Sequence, residues 1–184
     1  MSSINYILIG VGLLALWLAF IYNSLVKMRM RAREALSDID VQLKRRFDLI
    51  PNIVETVKGY ASHEKGVLEN VTKARAEVAQ SGGDPLEREG AENMLSNTLK
   101  TLFAVAENYP DLKANANFLD LQRELSDTEN KIQASRRFFN TTVKDLNTKI
   151  QSFPVNMVAK ILGFKEEMFF ETDDEEKESV QVSF

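Results

Sequence analysis

From Tyr6 to Tyr22 the chain reads YILIGVGLLALWLAFIY, apolar apart from its two end tyrosines, and no charged side chain occurs before Lys27. With Ile4 and the pair Leu25 and Val26 as margins, this reaches the roughly 20 residues that a helix needs to cross a bilayer core. At 1.5 Å per residue Tyr6 and Tyr22 lie about 24 Å apart along such a helix, a separation that suits phenols at opposite interfaces. Lys27, Arg29, Arg31 and Arg33 then follow within one heptad with no acidic residue among them. Positive charge is retained on the cytoplasmic side. The pattern predicts a single span with its N-terminus outside and residues 27 to 184 in the cytoplasm. A cleaved secretory signal would need basic residues before the apolar stretch and a small-x-small site after it; neither is present.

Beyond the anchor the apolar period changes to seven. Leu36, Leu43, Ile50 and Val57 form one row, and Ile39, Ile53, Tyr60 and Val67 a companion row, which is the periodicity of a bundle or coiled coil. Pro51 interrupts the run, where it removes one backbone hydrogen bond and crowds the preceding turn. The heptad phase is the same on both sides of it, so the pattern favours one long kinked helix from about 24 to 80 over two helices. Ser81, Gly82 and Gly83 end it. Asp84 and Pro85 are suited to N-cap and first-turn positions of a second helix, about 85 to 108, with Glu87 placed for a capping box. That helix carries Leu95, Leu99, Leu102, Val105 and Ala106 on one face and stops at Tyr109-Pro110. In the third helix Phe118, Leu125, Ile132, Phe139, Leu146 and Phe153 repeat without a break, and Pro154 closes it. A short helix from about Val155 to Leu162 follows, with Gly163 as C-cap and an apolar cluster of Phe164, Met168, Phe169 and Phe170. No strand is predicted within the domain. The expected fold is all-α: an N-terminal transmembrane helix (1–26), an elongated antiparallel helical bundle (27–163), and an acidic, partly disordered tail (164–184).

The net charge of −4 conceals a polarity along the chain, because the basic collar at 27–33 is set against DDEEKE near the C-terminus. The collar suits anionic lipid, or it serves only to fix topology. No basic patch with interleaved aromatics occurs elsewhere, which argues against a nucleic-acid partner. Cysteine is absent, which removes disulfides, thiolate metal sites and cysteine nucleophiles from consideration. The single histidine, His63, stands in HEKGV; a zincin helix would need a second histidine where Val67 stands. Gly82-Gly83 lacks the lysine of a phosphate-cradling loop. No catalytic set, cofactor or metal site can be assembled. Val180, Val182 and Phe184 alternate with polar residues after the acidic run, a form that suits either a strand-addition ligand or a frayed end.

Charges that interrupt the apolar rows are more informative. Arg46 lies between Ile39 and Ile53 where an apolar residue belongs, Glu64 follows Val57 in the other row, and Glu129 and Arg136 share a face beside the phenylalanines. Desolvating a charge costs several kcal/mol, so these groups either pair inside the bundle and set its register or line a surface that meets another molecule. Arg46 is expected to pair with a carboxylate such as Glu129 or Glu64.

Four stretches resemble the LemA family of bacterial membrane proteins: YNSLVKMR at the end of the anchor, DIDVQLKRRFDLIPNIVETVKGYASHE, AVAENYPDLKANANF, and LSDTENKIQASRRFFNTTVKDLNTKIQSFPVNMVAKILGF. The match spans about residues 20 to 171, with the motifs in order. Positions that correspond to the family's motifs are Arg45, Arg46, Asp48, Pro51 and Asn52, then Tyr109 and Pro110, then Glu129, Asn130, Arg136, Arg137 and Asn140. Phe139 departs from the more frequent Tyr and forgoes its hydroxyl. The resemblance implies a helical bundle with an N-terminal anchor in the bacterial cytoplasmic (inner) membrane, with no established enzymatic activity. Related sequences are linked with membrane metalloproteases of the HtpX type and with organelle-membrane biogenesis. The expectation is a non-enzymatic scaffold in the lipid bilayer that forms a homo-oligomer or organises partners. The alternative is an adaptor of such a metalloprotease.

Overall fold

A computed structural model describes residues 3–170; the readings made on DDEEKE and on Val180, Val182 and Phe184 lie outside the described residues. All regular structure within them is helical, in six segments: α1 (Ser3–Tyr60), α2 (Lys65–Ser81), α3 (Glu89–Ala106), α4 (Pro110–Lys113), α5 (Ala116–Gln151) and α6 (Val155–Ile161). They form two compact units, residues 35–137 and the described residues of 1–34 with 138–184.

In the first unit α1 passes through Pro51 as one helix but ends at Tyr60, so the long helix expected to reach residue 80 is two helices. The break falls at Ala61 to Glu64, where Glu64 N–H donates to the Ala61 carbonyl at 3.0 Å and the Glu64 carbonyl accepts from Val67 and Leu68 at 3.2 Å. Gly59, Ser62 and His63 are all weak helix formers, while Ala61 is fully buried as the chain reverses. The direction of each helix follows from its contacts. Arg75 of α2 reaches back to Phe47 of α1, so α1 and α2 are antiparallel. Glu92 and Tyr109 near the two ends of α3 meet Arg46 and Glu64 in the same order, so α3 runs parallel to α1. On α5, Glu129 meets Arg46, whereas Asn115, just before the helix, meets Tyr60, so α5 runs antiparallel to α1. Between them lie Ile50, Ile53, Val57, Leu68, Val71, Leu95, Leu102, Leu112, Phe118 and Leu125. Ile50 and Val57 of one α1 row and Ile53 of the other therefore face this core, whereas Tyr60, in the last turn, is exposed.

Asp84 caps as expected, its Oδ1 accepting from Leu86 N–H at 2.9 Å and Glu87 N–H at 3.2 Å, but the residues it caps form a turn and α3 starts only at Glu89. Pro110 opens α4 as a first-turn residue. The phenylalanine row of α5 is buried from Phe118 through Leu146, whereas Phe153 lies beyond the helix and is exposed.

In the second unit Ile21 and Leu25 of α1 pack with Leu146 and Ile150 of α5, Val155 and Ala159 of α6, and Phe164. Leu25 is fully buried, so the margin of the apolar segment is protein core; every residue from 3 to 20 is exposed. Helix α1 is long and apolar enough to cross a membrane in this part. Helix α6 ends in a Schellman motif: Phe164 N–H bonds to the Ala159 carbonyl at 2.9 Å, Gly163 N–H to that of Lys160 at 3.3 Å, and Gly163 takes a φ of 73°. The chain then leaves helix for residues 164–170. Phe164 and Phe170 are buried, while Met168 and Phe169 point outward, so these four do not form one cluster.

Candidate functional site: a buried charge ladder

Arg46, at an apolar-row position of α1, is 1% exposed within the 35–137 unit. Its guanidinium donates to Glu92 Oε2 at 2.6 Å and to the Glu92 carbonyl at 3.2 Å, to Glu129 Oε2 at 2.7 Å, and to Ser96 Oγ. Glu92 is as deeply buried, and its other oxygen meets Arg88 Nε at 3.3 Å. Arg88 also pairs with Asp40 on α1. Acid and base thus alternate from Asp40 through Arg88, Glu92 and Arg46 to Glu129, joining α1, the start of α3, and α5. Each buried carboxylate oxygen has a cation or hydroxyl against it, which is the condition under which buried charge is tolerated. Glu129 is the expected partner of Arg46; Glu64 is not, and Glu92 replaces it.

Glu64 instead accepts the Tyr109 hydroxyl at 2.8 Å. That bond ties the α1–α2 turn to the residue preceding α4, and it raises the pKa of the phenol above its ordinary value, because the neutral hydroxyl is the form that donates; burial and the Glu64 charge act the same way. Arg45 pairs at the surface with Glu124 at 2.8 Å, a hydrogen bond that raises the arginine pKa further. Arg136 donates to Asn93 at 2.9 Å and so joins α5 to α3. Asp48 pairs with Lys44 at 3.3 Å on the open side of α1, and Asn52 and Pro110 are also exposed. Asn130 and Arg137 are exposed on α5.

Pro51 has an exposed ring, but its effect is inside. Lacking an N–H, it leaves the Phe47 carbonyl one turn earlier without its helical donor, and Arg75 Nε of α2 donates to that carbonyl at 3.2 Å while its guanidinium lies 3.8 Å over the Phe47 ring. A helix defect in α1 has become an attachment point for α2.

Asn140 serves the other unit. Its side chain donates to the Phe170 carbonyl at 3.1 Å and accepts from Phe170 N–H at 2.9 Å. Asn147, absent from the sequence-derived candidates, does the same for Glu167, at 2.9 and 3.0 Å. Asn140 and Asn147, about 10.5 Å apart along α5, thus fasten the non-helical residues 164–170 as a strap held at two points. Phe139 closes it, edge-on to Phe170 at 5.4 Å. Where the apolar run of α1 ends, Tyr22 meets Phe164 edge-on at 6.0 Å and Arg29 lies 4.5 Å over the same ring, 3.8 Å from Glu167. Tyr6, Lys27, Arg31 and Arg33 are exposed.

A groove of about 270 Å³ opens beside the ladder, lined by Arg46, Ser96, Phe103, Gln122, Glu129 and Asn130. Among the described residues no group of three or more histidine, aspartate or glutamate side chains is placed to hold a metal ion. The chemistry the arrangement performs is to lock three helices at one level.

Comparison with known proteins gives a match to the family model described as LemA family over residues 35–184. Protein LemA of Metamycoplasma hominis is 28% identical over 88% of this chain and 74% of its own length. Magnetosome protein MamQ of Magnetospirillum gryphiswaldense is 25% identical over 81% of this chain, and magnetosome protein MamQ 2 of Paramagnetospirillum magneticum 25% identical over 82%. The chain spans 64% of the length of these two MamQ relatives.

Proposed function

The chain belongs to the LemA family, and we propose that it is a membrane-anchored helical scaffold, acting through its surfaces on copies of itself or on membrane partners and not through catalysis. The observation that carries this reading is the ladder from Asp40 to Glu129, in which the most buried charges, Arg46 and Glu92, are engaged with each other. A catalytic centre keeps such groups free to meet a substrate; here they fix helix register, the best-attested role of buried ionic groups. The names of the relatives denote no reaction. Helix α1 carries the chain at the membrane, and the basic collar supports a cytoplasmic placement of the domain.

The test is the mass of the full chain after solubilisation in mild detergent. A homogeneous assembly of several copies is the expected result. A monomer that comigrates only with a membrane metalloprotease would replace the scaffold with an adaptor, and steady turnover of any substrate by the purified chain would overturn both.

A further inference from the structure

Helix α6 carries two large apolar residues on the side that a surface helix keeps polar, beside the exposed Asn156 and Lys160. Val155 and Ala159 face inward, while Met157 and Ile161, one turn apart on the opposite side, are 62% and 84% exposed, and Phe153 just before the helix is 80% exposed. Water-facing positions of an amphipathic helix are normally charged or polar. The buried face of α6 belongs to the cluster that contains Ile21 and Leu25 of α1, which are the first buried residues after the exposed apolar run 3–20. The helix is therefore held at the level where a bilayer covering that run comes to an end.

The geometry points to α6 as a second, shallow membrane contact, with Phe153, Met157 and Ile161 seated in the headgroup–acyl boundary of the same leaflet from which α1 emerges. This rests on the reading of α1 as a spanning anchor. The bilayer is the occupant because α6 is packed through Val155 and Ala159 on Ile21 and Leu25, directly after the exposed apolar residues Trp17, Leu18 and Phe20 of α1. Lys160 on α6 and Lys165 just after it are exposed, with stems that can lie along apolar surface while the ammonium groups meet lipid phosphates. Glu166 and Glu167 are exposed acids that follow, and Glu167 lies against Arg29. A single helix leaves the domain free to rotate about its axis, and a second contact removes that freedom.

The chain has no cysteine, so single spin labels can be placed on the full-length protein in anionic phospholipid vesicles through Leu13→Cys, Met157→Cys, Ile161→Cys and Lys73→Cys. Relaxation by oxygen, which concentrates in lipid, is compared with relaxation by a water-soluble nickel chelate. Labels at positions 157 and 161 are expected to be several-fold less accessible to nickel than the label at 73, at a depth of about 5–10 Å, with the label at 13 deeper still. If position 13 is buried in lipid but 157 and 161 match 73, the seat is wrong and the anchor stands. If position 13 itself meets nickel, the anchor and the seat both fall. Labels at 161 that are shielded from oxygen as well as from nickel, with dipolar broadening between copies, would assign the face to self-association and overturn the lipid contact.

Discussion

Arg46 stands at an apolar row position with carboxylates from two other helices against it, and removing it would leave Glu92 charged and buried. Breaking a buried pair costs about 3–5 kcal/mol. Arg46→Ala should therefore lower the Tm of the domain strongly, and Glu92→Ala comparably, whereas Lys73→Ala on the exposed side of α2 should stay within about 0.5 kcal/mol of wild type. An Arg46→Ala protein that melts like wild type but fails to assemble would move the residue from core to interface. The Tyr109–Glu64 bond gives a pH signature. The phenol pKa is raised in the fold, so this stabilisation is fully present below the unfolded tyrosine value of about 10 and is lost as pH rises through the higher folded value. The stability difference between wild type and Tyr109→Phe, followed by denaturant titration, should hold steady from neutral pH to about 10 and shrink above it; a difference that falls already near pH 8 would mean another group controls the bond. The arginine was legible in the sequence because it breaks a heptad row. Glu92 was not, since an acidic residue near a helix start is what the helix dipole favours anyway. Asn147 had a readable signal that went unused: it follows Asn140 by the same seven residues that space the phenylalanines.

At the scale of elements, Pro51 and Arg75 act as a pair. In Pro51→Ala the restored N–H should recapture the Phe47 carbonyl, so Arg75→Ala should cost less in that background than alone. A double-mutant cycle is expected to show coupling of about 0.5–3 kcal/mol, and strict additivity would dissolve the link. The strap offers a second test. Asn147→Asp and Asn140→Asp keep the acceptor and lose the donor, so amide exchange at residues 167 to 170 should accelerate at least ten-fold while α2 and α3 remain protected; global acceleration would make the asparagines part of the main core. Helix existence and the faces of α3 and α5 were legible from period alone. The break after Tyr60 was not, because Val57, Tyr60 and Val67 keep heptad spacing across a turn that reverses the chain. Helix α4 was hidden for a related reason, as Tyr109-Pro110 reads as a stop signal until the proline is recognised as a first-turn residue.

For the whole molecule, topology is the decisive measurement. With the collar retained inside, an impermeant amine reagent applied to intact cells should leave Lys73 and Lys144 unmodified, and lysis should expose both; labelling before lysis would invert the orientation. The strap has a mechanical consequence. From Gly163 the chain turns back along α5, fastened first at Asn147 and then at Asn140, so tension on the C-terminus directed away from the helix loads these fastenings one at a time, the Asn140 rung before the Asn147 rung. Such an arrangement yields by peeling, at low force and in steps, whereas a pull along the strap axis would have to shear both amide pairs together. The same strap is thus weak or strong according to the direction from which it is pulled.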